Sequence, residues 1–197
     1  MNSGRIIVIE GTDKVGKTTQ SKMLMNSLKQ SGKICSILDF PDYSTPIGSE
    51  IRAFLDHERE YPNELKHMLL SANRWEKKKE IEIARDNGAI LIMNRYYQSN
   101  LVYGISNGLD LEWLLNLDRG IPREDLVIIL KAKPFIIKER GVEVHDLFEK
   151  DQELLYRVHK NYHELAELFK WKEINGERSR EHVHKDVLKL VNELVLN

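Results

Sequence analysis

The stretch Arg5-Ile-Ile-Val-Ile-Glu-Gly-Thr-Asp-Lys-Val-Gly-Lys-Thr18 decides the fold of this chain of 197 residues. Its first part, residues 5–10, is a run of β-branched side chains with little polar–apolar alternation. Such a run is typical of a strand buried on both faces, as in a parallel sheet. Residues 11–18 match the pattern G-x-x-x-x-G-K-[ST], and a helical segment follows at residues 17–30. The stretch therefore predicts a strand, a phosphate-binding loop and a helix.

The chemistry of this loop suits the polyphosphate of a nucleotide, although an ordinary glycine turn is the alternative. Glycines allow successive N–H groups to face one concavity, and the following helix adds the positive end of its dipole. Lys17 is expected to reach the outer phosphates, and Thr18 to supply a hydroxyl to Mg²⁺. We therefore predict ATP and Mg²⁺ as cofactors. The predicted nucleotide-binding residues are Gly11, Thr12, Asp13, Lys14, Val15, Gly16, Lys17, Thr18 and Thr19.

Strands alternate with helices along the rest of the chain. The predicted strands are 33–39, 89–93, 126–130 and 172–174, and the predicted helices are 46–57, 64–87, 97–107, 111–118, 150–170 and 180–196. This alternation predicts a three-layer α/β fold, with a five-stranded parallel sheet and helices on both faces. We expect a single domain over residues 1–197, with the polar segment 134–149 as a lid.

Composition indicates a soluble globular protein, with 41% hydrophobic residues, 31% charged residues and a formal net charge of −1. No overall positive field exists to recruit nucleic acid or an anionic membrane. The single cysteine, Cys35, is expected to be a buried small hydrophobe and not a reactive thiol. The apolar runs are shorter than the ~20 residues that span a bilayer, and the N-terminus lacks a secretion signal. We therefore expect a cytoplasmic protein.

Three arginines outside the loop are candidates for contacts with a second ligand. Arg95 directly follows the third predicted strand, at the sheet edge where ligands of open α/β sheets gather, and can hold a phosphate with two parallel hydrogen bonds. Arg140 lies in the predicted lid, and Arg74 could read the edge of a base with its planar donors. The alternatives are a surface ion pair for Arg95, a solvated loop residue for Arg140 and a helix surface for Arg74.

The loop residue Asp13 also indicates a second ligand. A carboxylate beside polyphosphate is repelled by it, so Asp13 needs another role, such as accepting a hydrogen bond from a sugar hydroxyl; capping the turn is the alternative. An acceptor that is already a phosphate dianion needs no general base. Its site should show clustered cations, because phosphoryl transfer depends on alignment and charge neutralisation.

Several motifs now resemble those of the thymidylate kinases, and more their eukaryotic, poxviral and archaeal forms than the typical bacterial ones. The matching pieces occur in order along most of the chain: Glu10 to Gln20, Phe40-Pro41, Ser44-Thr45, Ile47-Gly48, Ser71-Ala-Asn-Arg-Trp-Glu76, Asn94-Arg95-Tyr96, Gly120-Ile-Pro122 and Asp146-Leu-Phe-Glu149. The resemblance implies ATP-dependent phosphorylation of dTMP to dTDP by a P-loop kinase that forms a homodimer. The run at residues 71–76 is much more specific than the phosphate loop.

The resemblance also implies roles for individual residues. Asp13 would bind the deoxyribose 3′-hydroxyl, Arg74 the thymine edge and Arg95 the acceptor phosphate. Tyr103 would pack against the sugar. The implied substrate-binding residues together are Asp13, Phe40, Leu70, Arg74, Arg95, Ser99, Asn100 and Tyr103. The implied catalytic residues are Lys14, Lys17, Arg95 and Arg140, with Thr18 as the metal ligand.

Four positions depart from the family pattern. Asn94 stands where an aspartate usually precedes Arg-Tyr, so the metal shell differs. Leu70 stands where an aromatic ring normally stacks on thymine. Tyr43 replaces an arginine of the Phe-Pro motif, whose phosphate contact would be lost or come from Arg52. In the predicted lid, Leu147 follows the acid where an arginine is often found.

Three other functions are compatible with the same residues. Leu70 allows a kinase of broader deoxynucleotide choice. A nucleotide-dependent switch would hydrolyse ATP or GTP slowly without an acceptor, although the chain lacks the Asn-Lys-x-Asp element that reads guanine. A catalytically weakened homologue is suggested by Asn94.

Overall fold

A computed structural model describes residues 4–132 and 152–195, which form one mixed architecture of strands and helices. The strands are β1 (Arg5–Glu10), β2 (Cys35–Asp39), β3 (Ile90–Asn94), β4 (Leu126–Lys131) and β5 (Lys172–Asn175). The helices are α1 (Lys17–Gln30), α2 (Pro46–Leu55), α3 (Asn63–Glu76), α4 (Lys78–Asp86), α5 (Tyr97–Ser106), α6 (Leu111–Leu117), α7 (Gln152–Phe169) and α8 (Arg180–Val195). The predicted lid 134–149, with Arg140 and Leu147, lies outside the described residues.

The strands form a five-stranded sheet in the order β2-β3-β1-β4-β5, and every neighbouring pair is parallel. The predicted fold class is therefore confirmed. Because all strands run the same way, the carboxyl ends of β1, β2 and β3 meet at one edge. The register pairs Ile9 with Asn94 and Asn94 with Asp39 at that edge.

Alternate residues of β1 bury opposite faces of the sheet. Ile6 and Val8 belong to one apolar cluster, which includes Leu101 of α5 and Val158 of α7. Ile7 and Ile9 belong to the other, which includes Leu24 of α1 and Val187 of α8. The central strand is thus covered on both sides, which explains why its sequence is apolar without alternation.

The predicted helix 64–87 is wrong as a single element, because it consists of α3 and α4. The break lies at Lys77, whose N–H donates to the carbonyl of Arg74 at 3.1 Å and closes a tight turn. The Nζ of Lys77 lies 2.9 Å from Asp42 Oδ2 and 3.3 Å from Glu80 Oε2. The turn lets α4 pack on β3 through the fully buried Ile81, while α3 packs against α2 and α5.

Cys35 is half-buried, not fully buried, and packs beside the cluster that contains Leu24. Burial raises the pKa of its thiol, which agrees with an unreactive cysteine. Within residues 4–132 and 152–195, no helix has both the length and the apolar character needed to cross a membrane.

Candidate active site

The loop between β1 and α1 contains three residues with positive φ angles. Gly11 and Gly16 have φ angles of 136° and 110°, and Lys14 also lies in the left-handed region at 62°. A Cβ at Gly11 would stand 2.4 Å from the carbonyl oxygen of Leu130, so a larger residue would displace β4. Glycine is therefore required at position 11 for both conformation and space.

Lys17 is folded back onto its own loop. Its Nζ donates to the carbonyl of Thr12 at 2.8 Å and lies 3.4 Å from Asp13 Oδ1. Burial, together with the nearby charge of Arg95, lowers the pKa of Lys17 to about 8. The ammonium group is thus held by one carbonyl and one carboxylate, both of which phosphate oxygens can replace.

Arg95 and Asp13 form an ion pair at the carboxyl edge of the sheet. The Nη2 of Arg95 donates to Asp13 Oδ1, and its Nη1 donates to Ser99 Oγ at 2.8 Å. Its guanidinium lies 5.7 Å from the ring centre of Tyr103. Burial alone would raise the pKa of Asp13, but the charges of Arg95 and Lys17 hold it well below its usual range. Two residues predicted to bind an acceptor therefore pair with each other.

The carboxylate of Glu10 holds the residues that follow β3 in place at this edge of the sheet. It is fully buried and accepts hydrogen bonds from the backbone N–H groups of Tyr96 and Ser99 at 2.9 and 3.1 Å. It also accepts from Ser99 Oγ at 2.7 Å and from the hydroxyl of Tyr162 at 2.9 Å. Glu10 thus connects the first turn of α5 and helix α7 to the phosphate loop. The sequence analysis includes Glu10 in the motif from Glu10 to Gln20 but assigns it no role.

All eight predicted substrate-binding residues line one pocket next to Arg95. Its lining consists of Asp13, Phe40, Pro41, Tyr43, Leu55, Leu70, Arg74, Arg95, Tyr96, Ser99, Asn100 and Tyr103. We call this the acceptor pocket. Its lining combines apolar side chains and rings with a few polar groups, which is the usual composition of a small-molecule site.

Arg74 reaches the acceptor pocket from a buried ion pair and not from a helix surface. Its Nε and Nη2 donate to the two oxygens of Asp118 at 2.9 and 2.6 Å, and the two side chains are 3% and 0% exposed. Ser71 Oγ donates to the same carboxylate at 2.9 Å. The pair fixes the plane of the guanidinium and does not use Nη1. Sequence reasoning missed Asp118, which lies 44 residues beyond Arg74.

Asn100 is oriented in the same way by His67. His67 Nδ1 and Asn100 Oδ1 lie 2.6 Å apart, and Asn100 Nδ2 donates to the His67 carbonyl at 3.2 Å. Burial lowers the pKa of His67 to about 4, so the ring is neutral at pH 7. Because an amide oxygen only accepts, the ring proton belongs on Nδ1. Sequence reasoning also missed this histidine.

A second pocket adjoins the first and contains the exposed part of the phosphate loop. Its lining consists of Asp13, Lys14, Gly16, Lys17, Thr18, Thr19, Asp39, Phe40, Pro41, Tyr43, Asn94 and Arg95. We call this the nucleotide pocket. Of the other predicted nucleotide-binding residues, Val15 packs in the core with 3% exposure, and Gly11 and Thr12 are buried in the loop. The two pockets share Asp13, Phe40, Pro41, Tyr43 and Arg95, of which Asp13 and Arg95 are the charged residues.

Three of the four departures from the family pattern, Asn94, Leu70 and Tyr43, line the two pockets. Leu70 lines the acceptor pocket, and Tyr43 lines both pockets at 42% exposure. Arg52 lies over the Tyr43 ring at 5.5 Å, and its Nε lies 2.6 Å from Asp56 Oδ2. Arg52 is part of neither pocket's lining, so it does not replace the missing arginine in this conformation.

Comparisons with known proteins identify the family of this chain. The family model described as thymidylate kinase matches residues 9–187. Similar curated proteins include thymidylate kinases from Danio rerio, 34% identical over 98% of this chain and 92% of that protein, and from Schizosaccharomyces pombe, 36% identical over 97% and 93%. A solved thymidylate kinase from Candida albicans has a TM-score of 0.86 at 27% identity, over 97% of this chain and 92% of that chain. The chain belongs to the thymidylate kinase family.

Proposed function

We propose that this protein transfers the γ-phosphoryl group of ATP to the 5′-phosphate of dTMP, giving dTDP and ADP. The observation that carries the proposal is the junction of two pockets at Asp13 and Arg95, one containing the phosphate loop and the other containing the predicted acceptor residues. Such an arrangement suits two phosphorylated ligands bound end to end. Family membership supports the same activity.

The transfer itself requires no general base. An oxygen of the dTMP phosphate, already anionic, attacks the γ-phosphorus while the bond to the bridging oxygen breaks and ADP departs. Arg95 holds the acceptor phosphate, and Lys14 and Lys17 neutralise charge on the transferring group. When phosphates bind, they replace the Thr12 carbonyl as the partner of Lys17. They also share Arg95 with Asp13. The Asp13 carboxylate can then accept a hydrogen bond from the sugar 3′-hydroxyl.

The far end of the acceptor pocket recognises the base. Arg74 offers Nη1 to a carbonyl of thymine while Asp118 keeps the guanidinium in position. Asn100 and Ser99 supply further polar contacts, and Leu70 covers the base in place of an aromatic ring. Tyr103 lies beside Arg95, where it packs against the sugar.

Magnesium enters with ATP, and residues of the nucleotide pocket are suited to hold it. Thr18 offers a hydroxyl, and Asn94 Oδ1 is a buried oxygen with no hydrogen-bond partner among the described residues. When bound, the ion would neutralise phosphate charge and orient the transferring group.

We further propose a cytoplasmic homodimer, in which exposed apolar residues of α3 such as Leu65 and Met68 would be covered.

A coupled ADP-release assay tests the acceptor. We expect turnover with dTMP to exceed that with dUMP, dCMP, dGMP and AMP, and ATP without an acceptor to be hydrolysed only slowly. Equal or lower turnover with dTMP would contradict the proposal. Hydrolysis without transfer to any acceptor would indicate a nucleotide-dependent switch.

The alternative from the sequence, a kinase of broader acceptor choice, predicts a different result in the same assay. Leu70 replaces a stacking ring in the acceptor pocket, so base selectivity depends more on Arg74 and Asn100. The Candida albicans relative is described as having broad substrate specificity. Comparable rates with dTMP and dGMP in the same assay would establish this candidate instead.

A further inference from the structure

The carboxyl ends of β2 and β3 place an acidic residue beside the phosphate loop. Asp39 ends β2 and is the register partner of Asn94, which ends β3. Asn94 Nδ2 donates to Asp39 Oδ1 at 2.6 Å and to Thr18 Oγ1 at 3.1 Å. A carboxylate, an amide and the hydroxyl predicted to bind Mg²⁺ therefore form one contiguous row in the wall of the nucleotide pocket.

This row fits the requirements of Mg²⁺ that arrives with a nucleotide. The ion prefers oxygen ligands, keeps several waters and is usually bound through one or two carboxylates together with substrate phosphates. In the part of the chain that the structure describes, no group of three or more His, Cys, Asp or Glu side chains could hold a metal by itself. Asn94 Nδ2 contacts both Thr18 and Asp39, whereas its buried Oδ1 has no hydrogen-bond partner among the described residues, so this amide is set toward the two oxygen ligands.

The charges explain why an asparagine stands at position 94. The amide presents Nδ2 to Asp39, as it must, because a carboxylate only accepts hydrogen bonds. Aspartates at both positions would be like charges directly opposite each other on neighbouring strands, which is destabilising. The neutral Asn94 instead holds Asp39 in place next to Thr18.

We propose that Asp39 is the acidic residue of the magnesium site and that Asn94 positions it. In the family pattern an aspartate ends the third strand, at the position of Asn94. Here Asp39, at the end of the second strand, supplies the carboxylate instead. Asn94 is then part of a relocated metal site and not a defect. The inference rests on the proposed function in one respect, which is that Mg²⁺ enters the site bound to the nucleotide.

Binding of ADP in the presence and absence of Mn²⁺ tests the inference without turnover. Calorimetry gives the factor by which Mn²⁺ tightens ADP binding, and electron paramagnetic resonance reports the bound ion. In Asp39→Asn, we expect this factor to fall about tenfold, the lower end for loss of a residue that supports a metal. Binding of ADP in EDTA should be unchanged or tighter, because a negative charge near the phosphates is removed.

Asp186→Asn is the matched control, since Asp186 lies on α8 in an exposed pair with Arg178 and lines neither pocket. It should leave the Mn²⁺ factor unchanged. An unaltered factor in Asp39→Asn, an equal fall in the control, or no Mn²⁺ effect in the unmodified protein would overturn the inference. Failure of the proposed function would show separately, as absent transfer to dTMP with the Mn²⁺ factor still measurable.

Discussion

The acceptor pocket and the nucleotide pocket share Asp13 and Arg95 but are built differently. Polar groups of the acceptor pocket are fixed by buried partners, as Arg74 is by Asp118 and Asn100 by His67. In the nucleotide pocket, by contrast, Lys17 contacts its own loop and the exposed Asp39 contacts Asn94. The polar groups of one pocket are held by buried partners, and we propose that the other exchanges its internal contacts for ligand contacts.

The difference follows from what each ligand supplies. A nucleotide base is neutral and cannot reorganise a buried site, so the protein must position its donors in advance. Polyphosphate is highly charged. It can displace the Thr12 carbonyl from Lys17, and it can share Arg95 with the carboxylate of Asp13. Substitutions of Arg95, which both pockets share, and of residues that build the acceptor pocket test this difference.

The largest effect is expected at the junction itself. Arg95→Met should lower kcat/KM for dTMP by about 10³-fold, because one charged donor to the transferring phosphates is lost. Steady-state kinetics with varied dTMP and ATP measures this. The control Arg85→Met removes a partly buried arginine 3.7 Å from Asp125 that lines neither pocket, and it should retain normal kinetics. A loss under tenfold at position 95 would contradict the role of the junction.

Asp118→Ala should reveal how rigidly the acceptor pocket is built. The change leaves Arg74 buried and unpaired, so the free energy of unfolding should fall by at least about 3 kcal/mol. Urea denaturation measures it. Asp186→Asn, which breaks an exposed pair, should cost less than about 1 kcal/mol. Similar losses in the two variants would show that the acceptor pocket is not specially organised.

Acid should weaken the same pocket through His67. Burial lowers its pKa from 6.5 to about 4, so the unfolded chain takes up this proton first as the pH falls. Stability should therefore be present above pH 6.5 and lost progressively towards pH 4, by about 3 kcal/mol. Comparison of urea unfolding in the unmodified protein and in His67→Gln isolates this contribution. Parallel pH dependences would contradict it.

The smallest predicted effect concerns the base. Leu70→Phe restores a ring that can stack on thymine, and stacking contributes about 1 kcal/mol or more, so KM for dTMP should fall about fivefold. Acceptor titrations at saturating ATP measure it. Leu168→Phe, at an exposed position of α7 that lines neither pocket, is the control and should leave KM unchanged. A raised KM at position 70 would show that leucine is required by the pocket's shape.

The sequence predicts the fold and the phosphate loop because both depend on local patterns. The buried strand, the glycines at positions 11 and 16 and the following helix lie within one short stretch. The partners that position the site could not be predicted, because they are distant in sequence. Asp118 lies 44 residues from Arg74, and Asp39 lies 55 residues from Asn94. The parallel register of β2 and β3, which the sequence does not reveal, places the carboxylate of Asp39 opposite Asn94.

A crystal structure with dTMP and a non-hydrolysable ATP analogue tests the account most directly. We expect the dTMP phosphate on Arg95, the Arg74–Asp118 and His67–Asn100 contacts retained, and Lys17 moved from the Thr12 carbonyl to the phosphates. A dTMP phosphate away from Arg95 would contradict the account. So would an Arg74–Asp118 pair that opens to reach the base while Lys17 stays on its loop.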